Sequence, residues 1–120
     1  MDLDLVTRED AGHTVLEVAG EVDVHTAPAL RYRALELIDA GRSRLVVDVG
    51  GVEFLDSSGL GVLVEIQTRV RDVGGTLALA RPADRIRKLF ALTGLDEIFS
   101  VHDSVAGALS ASPAGGPPTA

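Results

Sequence analysis

The sequence predicts an α/β fold: a mostly parallel mixed β-sheet opened by an N-terminal antiparallel hairpin and accompanied by about four helices. Three observations lead there. Apolar runs of strand length alternate with longer segments whose apolar residues recur at helical spacing. Glycines close the helical segments, at Gly41, Gly74-Gly75 and Gly94. The run Leu45-Val46-Val47 is apolar without alternation, as expected of a central strand covered on both faces. Right-handed crossovers then follow from the alternation of strands with helices.

Each element has its own justification. Leu3 to Arg8 and Thr14 to Ala19 read as two strands, with Gly12 and His13 at the turn between them. Thr26 is placed to cap a helix whose first turn holds Pro28, and whose residues Ala27, Leu30, Ala34, Leu37 and Ile38 form one apolar face. After the strand around Val47, Gly50-Gly51 reads as a turn. Leu60, Leu63, Ile66, Val70 and Val73 then mark a second helix. Thr76 to Ala80 is the next strand, Pro82 sits where a third helix begins, and Ile86, Leu89 and Phe90 are that helix's buried stripe. Ile98 to Val101 reads as a short strand. Val105, Ala108 and Leu109 belong to a last helix capped by Asp103 or Ser104. The domain is expected over residues 1–110. Residues 111–120, ASPAGGPPTA, hold only small residues, Pro, Gly and Thr, too little apolar surface to offset ordering entropy, and are expected to be disordered.

Composition narrows the function. At 120 residues and 46% hydrophobic, the chain can bury one core. It has no cysteine, so it can hold no disulfide and no thiolate metal site or nucleophile. His13, His25 and His102 lack ligand-like spacing, and neither a metal nor a cofactor is expected. Eleven basic against eighteen acidic residues give a net charge of −7, which opposes nucleic acid and anionic membranes. The acidic start MDLDLVTRED does not resemble a signal peptide, and no apolar run approaches the ~20 residues of a membrane span. A cytoplasmic protein that meets another protein or a small ligand is expected.

The segment Gly51–Val64, GVEFLDSSGLGVLV, carries the strongest signal. A strand-like run ends in Asp56, Ser57, Ser58 and Gly59, where a helical pattern begins. A serine there suits an N-cap, and the positive end of the helix dipole tolerates a phosphate. Capping alone would explain Asp-Ser-Ser, but Gly59 and Gly61 each cost the helix ~1 kcal/mol relative to alanine, which calls for close backbone approach. With Leu63 at the centre of the buried face, Gly61 falls about 160° away at ~100° per residue, leaving the outward side bare. Val62 and Val64 lie at the margins of that face, as core edge or as docking surface. Glu21 and Asp23 form a second polar cluster, which either solvates a turn and supports the next helix start or binds a partner. No third glycine completes G-x-G-x-x-G and no Lys follows as in a Walker loop. G-x-S-x-G is absent too, although spacing leaves open a Ser-His-Asp site assembled in space, with Ser57 or Ser58 as nucleophile.

Four blocks, GEVDVHTAPAL, VEFLDSSGLGVL, GGTLALARP and LFALTGLDEIFSVHDS, resemble in order and spacing the STAS domain of bacterial anti-sigma-factor antagonists, across nearly all of residues 3–110. The resemblance implies a non-enzymatic regulator of transcription. Its partner would be an anti-sigma factor that is also a serine kinase; binding frees a sigma factor, phosphorylation reverses this, and a serine phosphatase restores the protein. It assigns the phosphoacceptor to Ser57, with Ser58 as neighbour, Asp56 before it and Asp23 in the partner-facing loop. Together with the outward helix turn, this makes Asp23, Asp56, Ser57, Ser58, Gly59, Gly61 and Val62 the expected partner-binding residues. A STAS module bound constitutively in a stress-signalling or transporter complex is the alternative role.

Overall fold

The computed structural model describes residues 3–111, so the expected tail from Ser112 onward lies outside the described residues. Strand β1 (Asp4–Asp10) and strand β2 (His13–Val22) form the antiparallel hairpin. Their link is the two-residue turn Ala11-Gly12, at φ +51° and +80°. Positive φ at both positions matches the right-handed strand twist, as in a type I′ turn. His13 is therefore not a turn residue: it pairs with Asp10 and is only 1% exposed.

The remaining order is helix α1 (Ala27–Asp39), strand β3 (Arg44–Leu55), helix α2 (Ser57–Asp72), strand β4 (Thr76–Ala80), helix α3 (Asp84–Thr93), a 3-10 turn (Leu95–Glu97), strand β5 (Ser100–His102) and helix α4 (Val105–Ala111). The five strands lie in chain order, and β2 through β5 are parallel. With right-handed crossovers throughout, sequential strand order puts α1, α2 and α3 on one face. The core confirms this. Leu45, Val47 and Val49 of β3 pack with Leu30 of α1, Leu63 and Ile66 of α2, and Phe90 of α3. Val46 faces the other way, in a smaller cluster with Val15, Ala78 and Ala108 of α4. β3 is thus buried on both sides, as its unbroken apolar run requires. Phe90 is fully buried and meets Phe99 with ring centroids 5.7 Å apart; burying a side chain of that size contributes about 1.5–3 kcal/mol.

Several boundaries differ from the sequence reading. Gly50-Gly51 is not a turn, because β3 runs through both glycines to Leu55. Gly51 pairs with Ala19, and a Cβ on it would lie 2.7 Å from that of Ala19, so the glycine permits close strand approach at an irregular register. Val73 is not on the buried stripe; it caps α2 and is 58% exposed. The helix expected at Pro82 begins at Asp84, and its end is set by Gly94 in the left-handed conformation. Ser104, not Asp103, caps α4, its Oγ accepting from the Gly107 amide at 2.9 Å.

Candidate functional site

The carboxyl ends of β2 and β3 form the site. Glu21 pairs with Phe54 and Val22 with Leu55, and the Asp56 amide donates to the Val22 carbonyl at 3.2 Å. The loops that leave the two strands are therefore held side by side, where open α/β sheets commonly meet ligands and partners.

The first loop is laced from within. The Asp23 Oδ1 accepts from the amides of His25 and Thr26, at 2.9 and 3.0 Å. Thr26 occupies the N-cap position of α1, yet its hydroxyl does not cap: it donates to the Glu21 carbonyl at 2.6 Å and accepts from the Asp23 amide at 3.0 Å. Asp23 thus supports the start of α1. Desolvation, the largest single influence, pushes its carboxyl up, but the two amides and the Thr26 hydroxyl together hold it below the ordinary aspartate value. This role leaves Val24, at the loop's tip, 63% exposed.

The second loop corrects the assignment of the cap. Asp56, in extended conformation, caps α2, its Oδ1 accepting from the amides of Ser58 and Gly59 at 2.9 and 3.2 Å. Ser57 is consequently the first helical residue. It is exposed, and its hydroxyl has no hydrogen-bond partner among the described residues. The cap and the presented hydroxyl are different side chains, because Asp56 takes the amides that a serine cap would have used.

The glycines also divide their roles. A Cβ on Gly59 would lie 2.3 Å from Leu55 Cδ1 and 2.8 Å from Val22 Cγ1, so this buried glycine lets α2 approach the sheet. Gly61 is exposed and a Cβ there would meet nothing within 4 Å, so it does leave bare backbone on the outward turn. Val62 is 8% exposed and belongs to the core, while Val64 is half-buried against it. The surface at this end is therefore Asp23, Asp56, Ser57, Ser58 and Gly61, with Gly59 and Val62 beneath.

None of the three histidines hydrogen-bonds Ser57 or Ser58. The His13 Nδ1 contacts the Ala11 carbonyl at 3.2 Å, and the His102 Nε2 the Ser100 hydroxyl at 2.7 Å. No cluster of three or more His, Asp or Glu fit to hold a metal occurs among the described residues, and none of their helices is long and apolar enough to cross a membrane. Sequence reasoning passed over Val24 and Phe54, exposed apolar residues beside the site. The available signal was an apolar residue directly after an acidic one near a strand end, Asp23-Val24 and Glu53-Phe54.

Residues 4–108 match the family model of the STAS domain. The chain is a STAS domain of the anti-sigma-factor antagonist family. It is 33% identical to the anti-sigma-B factor antagonist of Bacillus subtilis over 101 residues, 84% of this chain and 92% of that protein. The crystal structure of an anti-sigma factor antagonist from Mycobacterium paratuberculosis is 32% identical, covering 92% of this chain and 93% of that one, with a TM-score of 0.79. The STAS fold is also shared with the Bacillus cell fate determinant SpoIIAA in its phosphorylated form, at 23% identity, coverage of 91% and 97%, and a TM-score of 0.70.

Proposed function

We propose that this STAS domain is an anti-sigma factor antagonist: it binds an anti-sigma factor that is also a serine kinase, through the surface around Ser57, and loses that binding when Ser57 is phosphorylated. The observation that carries the reading is the exposed, unbonded Ser57 hydroxyl at the first position of α2, beside bare backbone at Gly61. A hydroxyl with no internal role can be esterified without breaking the fold.

Phosphate adds about −1.5 to −2 charge at neutral pH. Because the Asp56 carboxylate already holds the Ser58 and Gly59 amides, that charge stays on the surface next to Asp56 and close to the Asp23 loop. An interface that accepted a neutral hydroxyl then faces bulk, a desolvation cost and like-charge repulsion, together several kcal/mol. The phosphorylated SpoIIAA structure supports the reading at the level of the fold, which accommodates a phosphate in that protein. A serine phosphatase closes the cycle, and the domain itself needs no cofactor.

Incubation with purified candidate anti-sigma kinases and ATP, followed by mass spectrometry, tests the proposal. Phosphate on Ser57 alone is expected; phosphate elsewhere, or on none of the serines with an active kinase that binds the protein, overturns it.

A further inference from the structure

Helix α3 and the end of β3 form a second surface next to the Ser57 loop. Phe54 is 48% exposed, and with Leu55, Ile86 and Leu89 it lines a groove of about 210 Å³ between β3 and α3. On a helical wheel at ~100° per residue, Arg85, Lys88, Leu89 and Leu92 share a stripe about 100° wide, from Leu89 near the buried Ile86 to Lys88 opposite the buried face. Leu92 is 86% exposed on that stripe. The Arg85 guanidinium donates to the Glu53 carbonyl, and neither it nor Lys88 has a carboxylate partner among the described residues. Arg87, on the far side, is paired with Asp103 at 2.6 Å.

The cations on this surface are paired, with two exceptions. Of the basic residues in this segment, Arg81 is paired with Asp48 at 2.9 Å and Arg87 with Asp103, and Asp84 opens the helix, so Arg85 and Lys88 are the cations this surface offers without a carboxylate partner among the described residues. Glu21 and Glu53 at the ends of β2 and β3, and Asp23 and Asp56 in the loops that follow, lie beside it, with Glu53 lining the same groove as Arg85. Near Ser57 the acidic Asp23 and Asp56 thus stand beside the unpaired cations Arg85 and Lys88, and Leu92 continues the stripe toward the C-terminal end of α3.

We infer that the α3 stripe and Phe54 are a second docking surface for the same anti-sigma partner, and that they receive an acidic segment of it whose carboxylates flank apolar side chains. The inference rests on the proposed function. Opposite charges on the two surfaces fix the register of the partner, and the apolar residues supply affinity that does not depend on the state of Ser57.

The test is a binding titration with the purified anti-sigma kinase that phosphorylates the protein in the assay above. It compares wild type, Ser57→Asp, the double variant Arg85→Glu/Lys88→Glu, and Leu92→Ser, an exposed position that leaves the core intact. The double variant is expected to bind about tenfold more weakly or worse, with a smaller salt dependence, and Leu92→Ser to weaken binding as well. Amide exchange in the complex should protect residues 85–92 together with the start of α2. If Ser57→Asp weakens binding while the α3 variants bind as wild type and α3 stays unprotected, the second surface is refuted and the function stands. If wild type does not bind, or Ser57→Asp binds equally, the functional reading itself fails.

Discussion

Ser57 and its neighbours divide three tasks that a bare D-S-S-G string does not separate. Asp56 caps, Ser57 presents a hydroxyl, and Gly59 lets the helix reach the sheet. Each task has its own substitution. Asp56→Ala removes the acceptor for two amides and should cost about 0.5–2 kcal/mol, read from the midpoint of denaturant unfolding. Gly59→Ala drives a methyl into Leu55, which can swing away, and into branched Val22, which cannot; a loss of about 1–3 kcal/mol is expected in the same assay. Gly61→Ala should do the reverse, stabilising the helix by up to about 1 kcal/mol because its Cβ meets nothing, while weakening partner binding. If Gly59→Ala and Gly61→Ala shift stability alike, the division between buried and outward glycine is wrong.

Among the elements, pH reports on how the helices are held. Glu65 on α2 accepts both guanidinium contacts of Arg31 on α1, at 2.8 and 2.7 Å, and this bidentate bond is the main reason that its carboxyl lies below the ordinary 4.5. Asp23 lies below its ordinary 3.8. A carboxyl depressed on folding stabilises the native state above its unfolded value, and that contribution disappears as pH falls through the lower folded value. Carbon-detected NMR titration should therefore find both midpoints below 4.5 and 3.8 respectively, with the start of α1 loosening only on the acid side. Ordinary midpoints would mean that neither contact persists in solution.

Element types and their order were legible in the sequence because burial on one or both faces leaves a period in the apolar residues. Leu30, Ala34 and Leu37, and likewise Leu63, Ile66 and Val70, face the core as their spacing demands. What was not legible depended on contacts distant in sequence. Gly50-Gly51 looks like a turn in isolation, and only Ala19 of the neighbouring strand explains it as a close approach. The candidate site was legible in its residues but not in its roles. Whether Asp56 or Ser57 caps is decided by backbone conformation, to which spacing is blind, and Thr26 hydrogen-bonds back to Glu21 because β2 brings that carbonyl within reach.

At the scale of the whole molecule, the account requires a rigid body whose surface alone changes. Helices α1, α2 and α3 share one core with the sheet, and the Ser57 hydroxyl has no hydrogen bond to lose among the described residues. Phosphorylated and unmodified protein should accordingly unfold at the same denaturant concentration, with superimposable far-ultraviolet circular dichroism. A shift in either would point to a refolding switch instead.

The most direct measurement is the affinity of the purified anti-sigma kinase for this protein in two states, unmodified and stoichiometrically phosphorylated on Ser57. Several kcal/mol of repulsion and desolvation predict a loss of at least about a hundredfold. Equal dissociation constants for the two states would contradict the account.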